Sequence, residues 1–153
     1  MVALKAGLQD FIFFYFIDKM LFMFDFNMKI LLVDDSMVIR AIIKDALGKM
    51  GFKNIHEAKN GKTGLEKLKE EGEFDFIFSD WMMPGMDGLD FLKAVRADEE
   101  LQNILFVMLS AESINDKINE AIQHGADGYI TKPFKPEKIK TEIEKIIKRR
   151  SEK

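Results

Sequence analysis

From Met28 onward the chain alternates five times between a short apolar run and a stretch of helical periodicity, which narrows the possible folds more than any other feature. Residues 29–33 (KILLV) are apolar, branched and stopped by acids, the mark of a strand buried on both faces. Residues 37–50 place Val38, Ile42, Ala46 and Met50 at helical spacing, and Gly51 ends them. Residues 55–58 make a weaker strand. Residues 62–71 predict a helix that turns Leu65 and Leu68 inward and closes at Gly72. FDFIFS at 74–79 is a third strand, with a turn at Pro84-Gly85 before a helix over 89–97 that aligns Leu89, Leu92 and Val95. ILFVML at 104–109 is the most apolar strand. A helix over 114–124 follows, with Ile114, Ile118, Ala121 and Ile122 inward and Gly125 as its C-cap. A short strand at 129–131 precedes Pro136, which suits the first position of a last helix lined by Ile139, Ile143, Ile146 and Ile147.

Strands alternating with helices imply an α/β doubly wound fold, a parallel five-stranded sheet with helices on both faces. The 153 residues have room for one such domain, placed at 28–150. Ligands of open parallel sheets bind beyond the carboxyl ends of the strands, so polar residues that end strands carry the most weight. Strand one ends in Asp34-Asp35, strand three in Asp80, strand four in Ser110 and strand five in Lys132-Pro133. Singly, each has a bland explanation as a helix cap, turn residue or solvated lysine. Together they do not. Two unit charges about 5 Å apart cost about 3 kcal/mol at an effective dielectric near 20, so three gathered carboxylates call for a cation. Oxygen donors without His or Cys favour Mg²⁺, with Mn²⁺ second. Lys132 adds an ammonium and Ser110 a hydroxyl donor. Phosphoryl transfer requires such parts, and Asp80 is the natural nucleophile because a carboxylate can form an acyl phosphate.

Composition removes several alternatives. A net charge of −3 argues against a nucleic-acid-binding face. With no cysteine, a disulfide scaffold, a thiolate zinc site and a cysteine nucleophile are excluded. His56 and His124 lack metal-ligand spacing. Residues 1–27 stand apart as an apolar, Phe-rich N-terminal extension. Its core, residues 11–26, is shorter than the about 20 residues a membrane span needs. Asp18 and Lys19 in its middle would each cost roughly 2.5–3.5 kcal/mol at the bilayer centre, and it has no signal cleavage site. It reads as a start miscalled upstream of Met28, which is preferred, or else as a surface anchor or a helix packed on the domain, and membrane binding is not expected.

The strings LLVDDS (31–36), SDWMMPGMDGL (79–89), MLSAES (108–113) and GYITKPF (128–134) resemble the receiver domains of two-component response regulators, in order and spacing, across residues 28 to about 150. Single-domain chemotaxis receivers are the most similar members. The resemblance implies a flavodoxin-like (βα)5 sheet of strand order 2-1-3-4-5. It implies that Asp80 is the phosphoacceptor, taking its phosphoryl group from a phosphohistidine on a sensor histidine kinase. Mg²⁺ would be ligated by Asp35, Asp80 and the Met82 backbone carbonyl, with Asp34 acting through a metal-bound water. Lys132 would pair with the phosphoryl oxygens, its bond to Pro133 being cis. Ser110 would hydrogen-bond the phosphoryl group, and Tyr129 would swing inward to reshape the face of helix four, strand five and helix five. Met82 departs from the Asn often found two residues after the phosphoacceptor in chemotaxis regulators, which bears on dephosphorylation. Trp81 reads as a surface aromatic beside the site.

Three residues follow the last helix, so the expected output is protein binding. By resemblance the partner is a flagellar motor switch component, in the cytoplasm, with a chemotaxis kinase upstream; a phosphorelay intermediate is the alternative. A turnover enzyme is not expected, because an Asp-nucleophile phosphatase of the haloacid dehalogenase type places a second Asp where Met82 stands. An FMN-binding flavodoxin-like protein would want a phosphate-binding loop where Asp34-Asp35 stand.

Overall fold

Successive residues of a strand face opposite sides of its sheet, and in this chain both sides are apolar, so the strands can only be buried between two layers of helix. The structure, a computed structural model, describes residues 7–15, 24–111 and 114–153. Its elements are β1 (Ile30–Val33), α1 (Met37–Met50), β2 (Ile55–Ala58), α2 (Gly61–Glu71), β3 (Phe76–Asp80), α3 (Gly88–Ala97), β4 (Leu105–Ser110), α4 (Asn115–Gln123), β5 (Gly128–Thr131) and α5 (Pro136–Ser151). Residues 7–15 form a further helix ahead of β1. All strand pairs are parallel, in the order β2-β1-β3-β4-β5. This is the flavodoxin-like arrangement expected.

Two cores flank the sheet. Leu31, Val33, Ile77, Phe106 and Met108 point to one side and meet Leu68 of α2, Phe91, Leu92 and Val95 of α3, and Ala121 of α4. Ile30, Leu32, Phe76, Phe78, Val107, Leu109 and Ile130 point to the other and meet Ile43 and Leu47 of α1 and Ile139, Ile143 and Ile146 of α5. The alternation within ILLV and FIFS is therefore the alternation between the layers. As expected, Pro136 opens α5 in its first turn.

Two helices are rotated from the pattern read in the sequence. In α1, Val38 is 65% exposed and Ile42 41%, while Ile43, Ala46 and Leu47 are buried and Ile39 and Met50 pack at the core margin. In α4, Ala121 is the only fully buried residue, and Ile114 and Ile122 are exposed. Both sequences offer two apolar stripes, and only contact with the sheet selects one. Strand ends also shift. β3 begins at Phe76, because Lys29 O accepts from Asp75 N and the Asp75 carboxylate accepts from Lys29 N. The strand instead runs on to Asp80, paired in register with Leu109.

The packed body reaches back beyond Met28. Phe24 is 3% exposed, with its ring edge-on to Phe52 at 6.1 Å, and Phe26 lies 5.5 Å from Phe52. Gly51, which ends α1 at φ 109°, lies against the Phe26 ring. Phe24 thus belongs to the core of the α1–α5 layer and Phe26 packs at its margin, whereas residues 1–6 and 16–23 of the extension lie outside the described residues. Among the described residues no helix is long and apolar enough to cross a membrane. Phe24→Ala is expected to cost about 3–5 kcal/mol and to lower the melting temperature by about 10 °C. An unchanged melt would show that the ring is not part of the core.

Candidate functional site

The carboxyl ends of β1, β3, β4 and β5 meet along one sheet edge, each delivering a polar side chain. Asp34 follows β1 directly, its amide donating to Ala58 O at 3.2 Å, and is 1% exposed. Its Oδ1 accepts from Ser36 N at 2.8 Å and its Oδ2 from Lys132 Nζ at 2.9 Å. Asp35, the next residue, faces solvent. Asp80 ends β3, buried, with Oδ1 3.0 Å from Lys132 Nζ. Asp34, Asp35 and Asp80 each offer an oxygen, all within 4.8 Å of one another. Ser110 ends β4, 2% exposed, and its carbonyl accepts Lys132 N at 2.7 Å. The Lys132-Pro133 peptide is cis, as expected.

These groups control one another's charge. Burial pushes the Asp80 carboxyl above its ordinary value; the Lys132 hydrogen bond opposes that shift, and the charges of Asp34 and Asp35 reinforce it. Burial alone would lower the Lys132 ammonium, but hydrogen bonds to Asp34 and Asp80 outweigh it and leave the group above its ordinary value. A lone ammonium thus serves two buried carboxylates, and a third carboxylate stands beside them. The donor set is oxygen throughout, which fits a hard divalent cation such as Mg²⁺ and offers nothing to a soft one.

Several supporting residues have no obvious mark in the sequence. Arg40, one turn into α1, donates from Nη1 to Asp34 O at 2.6 Å and from Nε to Glu57 Oε1 at 3.1 Å. Lys44 reaches the other Glu57 oxygen, and its hydrogen bond is the main reason the Glu57 carboxyl sits below its ordinary value. The strand-one acid pair is therefore pinned from its main-chain side. Asp87 caps α3 by accepting from Asp90 N, and Gly88 N donates to Trp81 O at 2.8 Å. A Cβ on Gly88 would collide with the Asp80 carbonyl, and the Trp81 Cα stands at 2.8 Å. Glycine is needed there because helix α3 begins directly against the strand that carries Asp80. The turn at Pro84-Gly85 was legible; the closeness of Gly88 to Asp80 was not.

Two neighbours depart from expectation or refine it. Trp81 is not a surface aromatic: it is 4% exposed, with its ring edge-on to Tyr129 at 6.4 Å. An indole immediately after a buried strand end has nowhere else to go than the α4 side of the sheet. Tyr129 is half-buried and packs at the margin of that core. Met82, by contrast, projects into solvent at 68% exposure. His56 pairs with Glu71 and Asn54 far from the site, a structural role.

Residues 30–144 match the family model described as the response regulator receiver domain. The chain is 49% identical to chemotaxis protein CheY-3 of Vibrio cholerae over 123 residues, covering 80% of this chain and 94% of that protein. It is 50% identical to chemotaxis protein CheY of Pseudomonas aeruginosa over 122 residues, covering 80% of this chain and 98% of that one. Among solved structures, the chemotaxis response regulator CheY4 of Vibrio cholerae superposes with a TM-score of 0.73 at 34% identity, covering 78% of this chain and 98% of its own.

Proposed function

We propose that this chain, which belongs to the response regulator receiver domain family, is a phosphorylation switch acting in chemotaxis. The observation that carries the reading is the buried Asp80 carboxylate, 3.0 Å from the Lys132 ammonium and clustered with Asp34 and Asp35. A carboxylate oxygen of Asp80 attacks the phosphorus of a phosphohistidine on a sensor histidine kinase. The new O–P bond forms as the P–N bond breaks, and the bonding pair returns to the imidazole nitrogen. Asp35, Asp80 and the Met82 carbonyl would hold Mg²⁺, with Asp34 reaching it through water, and the ion supplies charge neutralisation for the phosphoryl oxygens. Lys132 exchanges its contact with Asp80 for one with a phosphoryl oxygen, and the Ser110 hydroxyl donates to another. Attack by water later releases inorganic phosphate and restores the carboxylate, so the protein assists its own modification without being a turnover enzyme.

The output is a population shift. Contacts that only the phosphorylated form can make bias Ser110 and Tyr129 toward a second packing, and the face of α4, β5 and α5 changes with them. The curated relatives are chemotaxis proteins matched over nearly their whole length. That supports a chemotaxis kinase upstream, a flagellar motor switch protein as receiver of the signal, and a cytoplasmic site of action. Incubation with acetyl phosphate and Mg²⁺ is expected to add one phosphoryl mass, mapped to Asp80; label at any other residue would overturn the reading. A pull-down of motor switch protein that does not depend on phosphorylation would remove the proposed output.

Met82 leads to a kinetic prediction. Its side chain has no group to hydrogen-bond an attacking water, so Met82→Asn is expected to lose its phosphoryl group faster than wild type. One water-orienting hydrogen bond corresponds to roughly 2- to 10-fold in rate. Equal rates of phosphate release from the two proteins would dismiss this role for the position.

A further inference from the structure

We infer that Lys117 is a positioning residue of the switch, its ammonium seated on the Trp81 indole so as to fasten the start of α4 to the phosphoacceptor strand and to Tyr129. Lys117 Nζ lies 4.8 Å from the centroid of the Trp81 ring. Trp81 directly follows Asp80, and its amide is tied to Leu109 O at 2.8 Å, so the indole has little freedom to follow a moving helix. Tyr129 of β5 meets the same indole at 6.4 Å with the rings inclined at 62°. Side chains from three elements are thus joined through one ring. The face of an indole carries partial negative charge and attracts an ammonium placed over it.

The contact matters because few of the residues of α4 are buried. Ala121 is its only fully buried residue, its N-cap residue Ile114 offers no side-chain hydrogen bond, and Ile114 and Ile122 face solvent. Lys117 is half-buried, and among the described residues its charged partner is Glu120 on the same helix, at 3.7 Å. The seat on Trp81 is therefore what this side chain adds between α4 and the sheet. Resting on the phosphorylation of Asp80 proposed above, the coupling has a definite sign. A phosphoryl group brings a charge of roughly −2 at neutral pH, and screening extends over about 8 Å at physiological ionic strength. A cation held on the side chain that follows Asp80 is attracted, not repelled, by that added charge. Lys117 therefore favours the packing of the phosphorylated form.

Trp81 is the only tryptophan of the chain, so its emission reports the contact directly. The full chain is compared with Lys117→Met, which keeps the length and removes the charge, and with Lys117→Arg, which keeps the charge. Emission is recorded before and after acetyl phosphate and Mg²⁺, alongside label on Asp80 by mass. Lys117→Met is expected to show altered emission before treatment and to lose roughly half of the change on phosphorylation, with Asp80 labelled to within about twofold of wild type. Lys117→Arg is expected to restore both signals. Superimposable emission from wild type and Lys117→Met would overturn the inference, as would an Arg variant that behaves like Met. Failure of all three proteins to take label would instead sink the role of Asp80, and the untreated spectra would still decide the contact.

Discussion

Asp80→Asn protein is expected to take up no phosphoryl group from acetyl phosphate and Mg²⁺, a fall of at least about three orders of magnitude in labelling rate. An amide oxygen is a poor nucleophile and forms no stable acyl phosphate, while Asp34 and Asp35 are already committed to other partners or face solvent. The same substitution is not expected to weaken the fold. The Asp80 carboxyl is held above its ordinary value by burial and by two neighbouring acids, so its charged form is disfavoured in the folded state relative to the unfolded chain. By linkage, such a group detracts from stability as pH rises through the carboxylate range, and a neutral amide removes that penalty. Melting temperature in the absence of divalent ions should therefore be equal to or above that of wild type. Lost label with retained stability separates chemistry from folding. Asp80→Asn protein labelled at the wild-type rate would mean that the nucleophile lies elsewhere.

Lys132→Met has the opposite signature. Lys132 Nζ bonds Asp34 at 2.9 Å and Asp80 at 3.0 Å, and those carboxylates are 2% and 9% exposed. Removing the shared ammonium leaves two buried carboxylates without their counter-charge, and breaking such a pair costs about 3–5 kcal/mol. For a domain of this size that is a fall of roughly 6–20 °C in melting temperature without metal. Mg²⁺ should then raise the melting temperature of the variant by more than it raises that of wild type, because the acids have become the more negative site. A thermal melt series in EDTA and in Mg²⁺ reads both effects. Equal metal-induced gains in the two proteins would show that lysine and cation do not share the acid cluster. If the variant is too unstable to purify without metal, its Mg²⁺ affinity relative to wild type carries the same test.

The order of the elements was legible in the sequence because burial on both sheet faces leaves strands nearly continuous in apolar residues, with glycines and prolines between them. Asp34, Asp35, Asp80, Ser110 and Lys132 could be picked out because they interrupt those runs at the same end of each strand. Arg40 and Gly88 could not. Their importance lies in a hydrogen bond to Asp34 O and in an approach to Asp80 O, and neither residue type signals such a partner. The stripe of α1 was misread for a related reason: Ile39, Ile42 and Ile43 are equally apolar, and only the docked sheet distinguishes them. Phe24 looked like part of an apolar extension set apart from the domain, but it packs against Phe52.

What the amino-acid order determined alone was the continuous apolar run of each strand, the breaks between elements and the acids and lysine placed at strand ends, all of which depend on neighbours along the chain. The three-dimensional packing decided which helix faces are covered, that Trp81 is enclosed, and that one ammonium serves two carboxylates from β1 and β3. Those outcomes depend on residues far apart in the chain, such as Lys132 and Asp34, whose electrostatic energy exists only once the sheet has brought them within 2.9 Å.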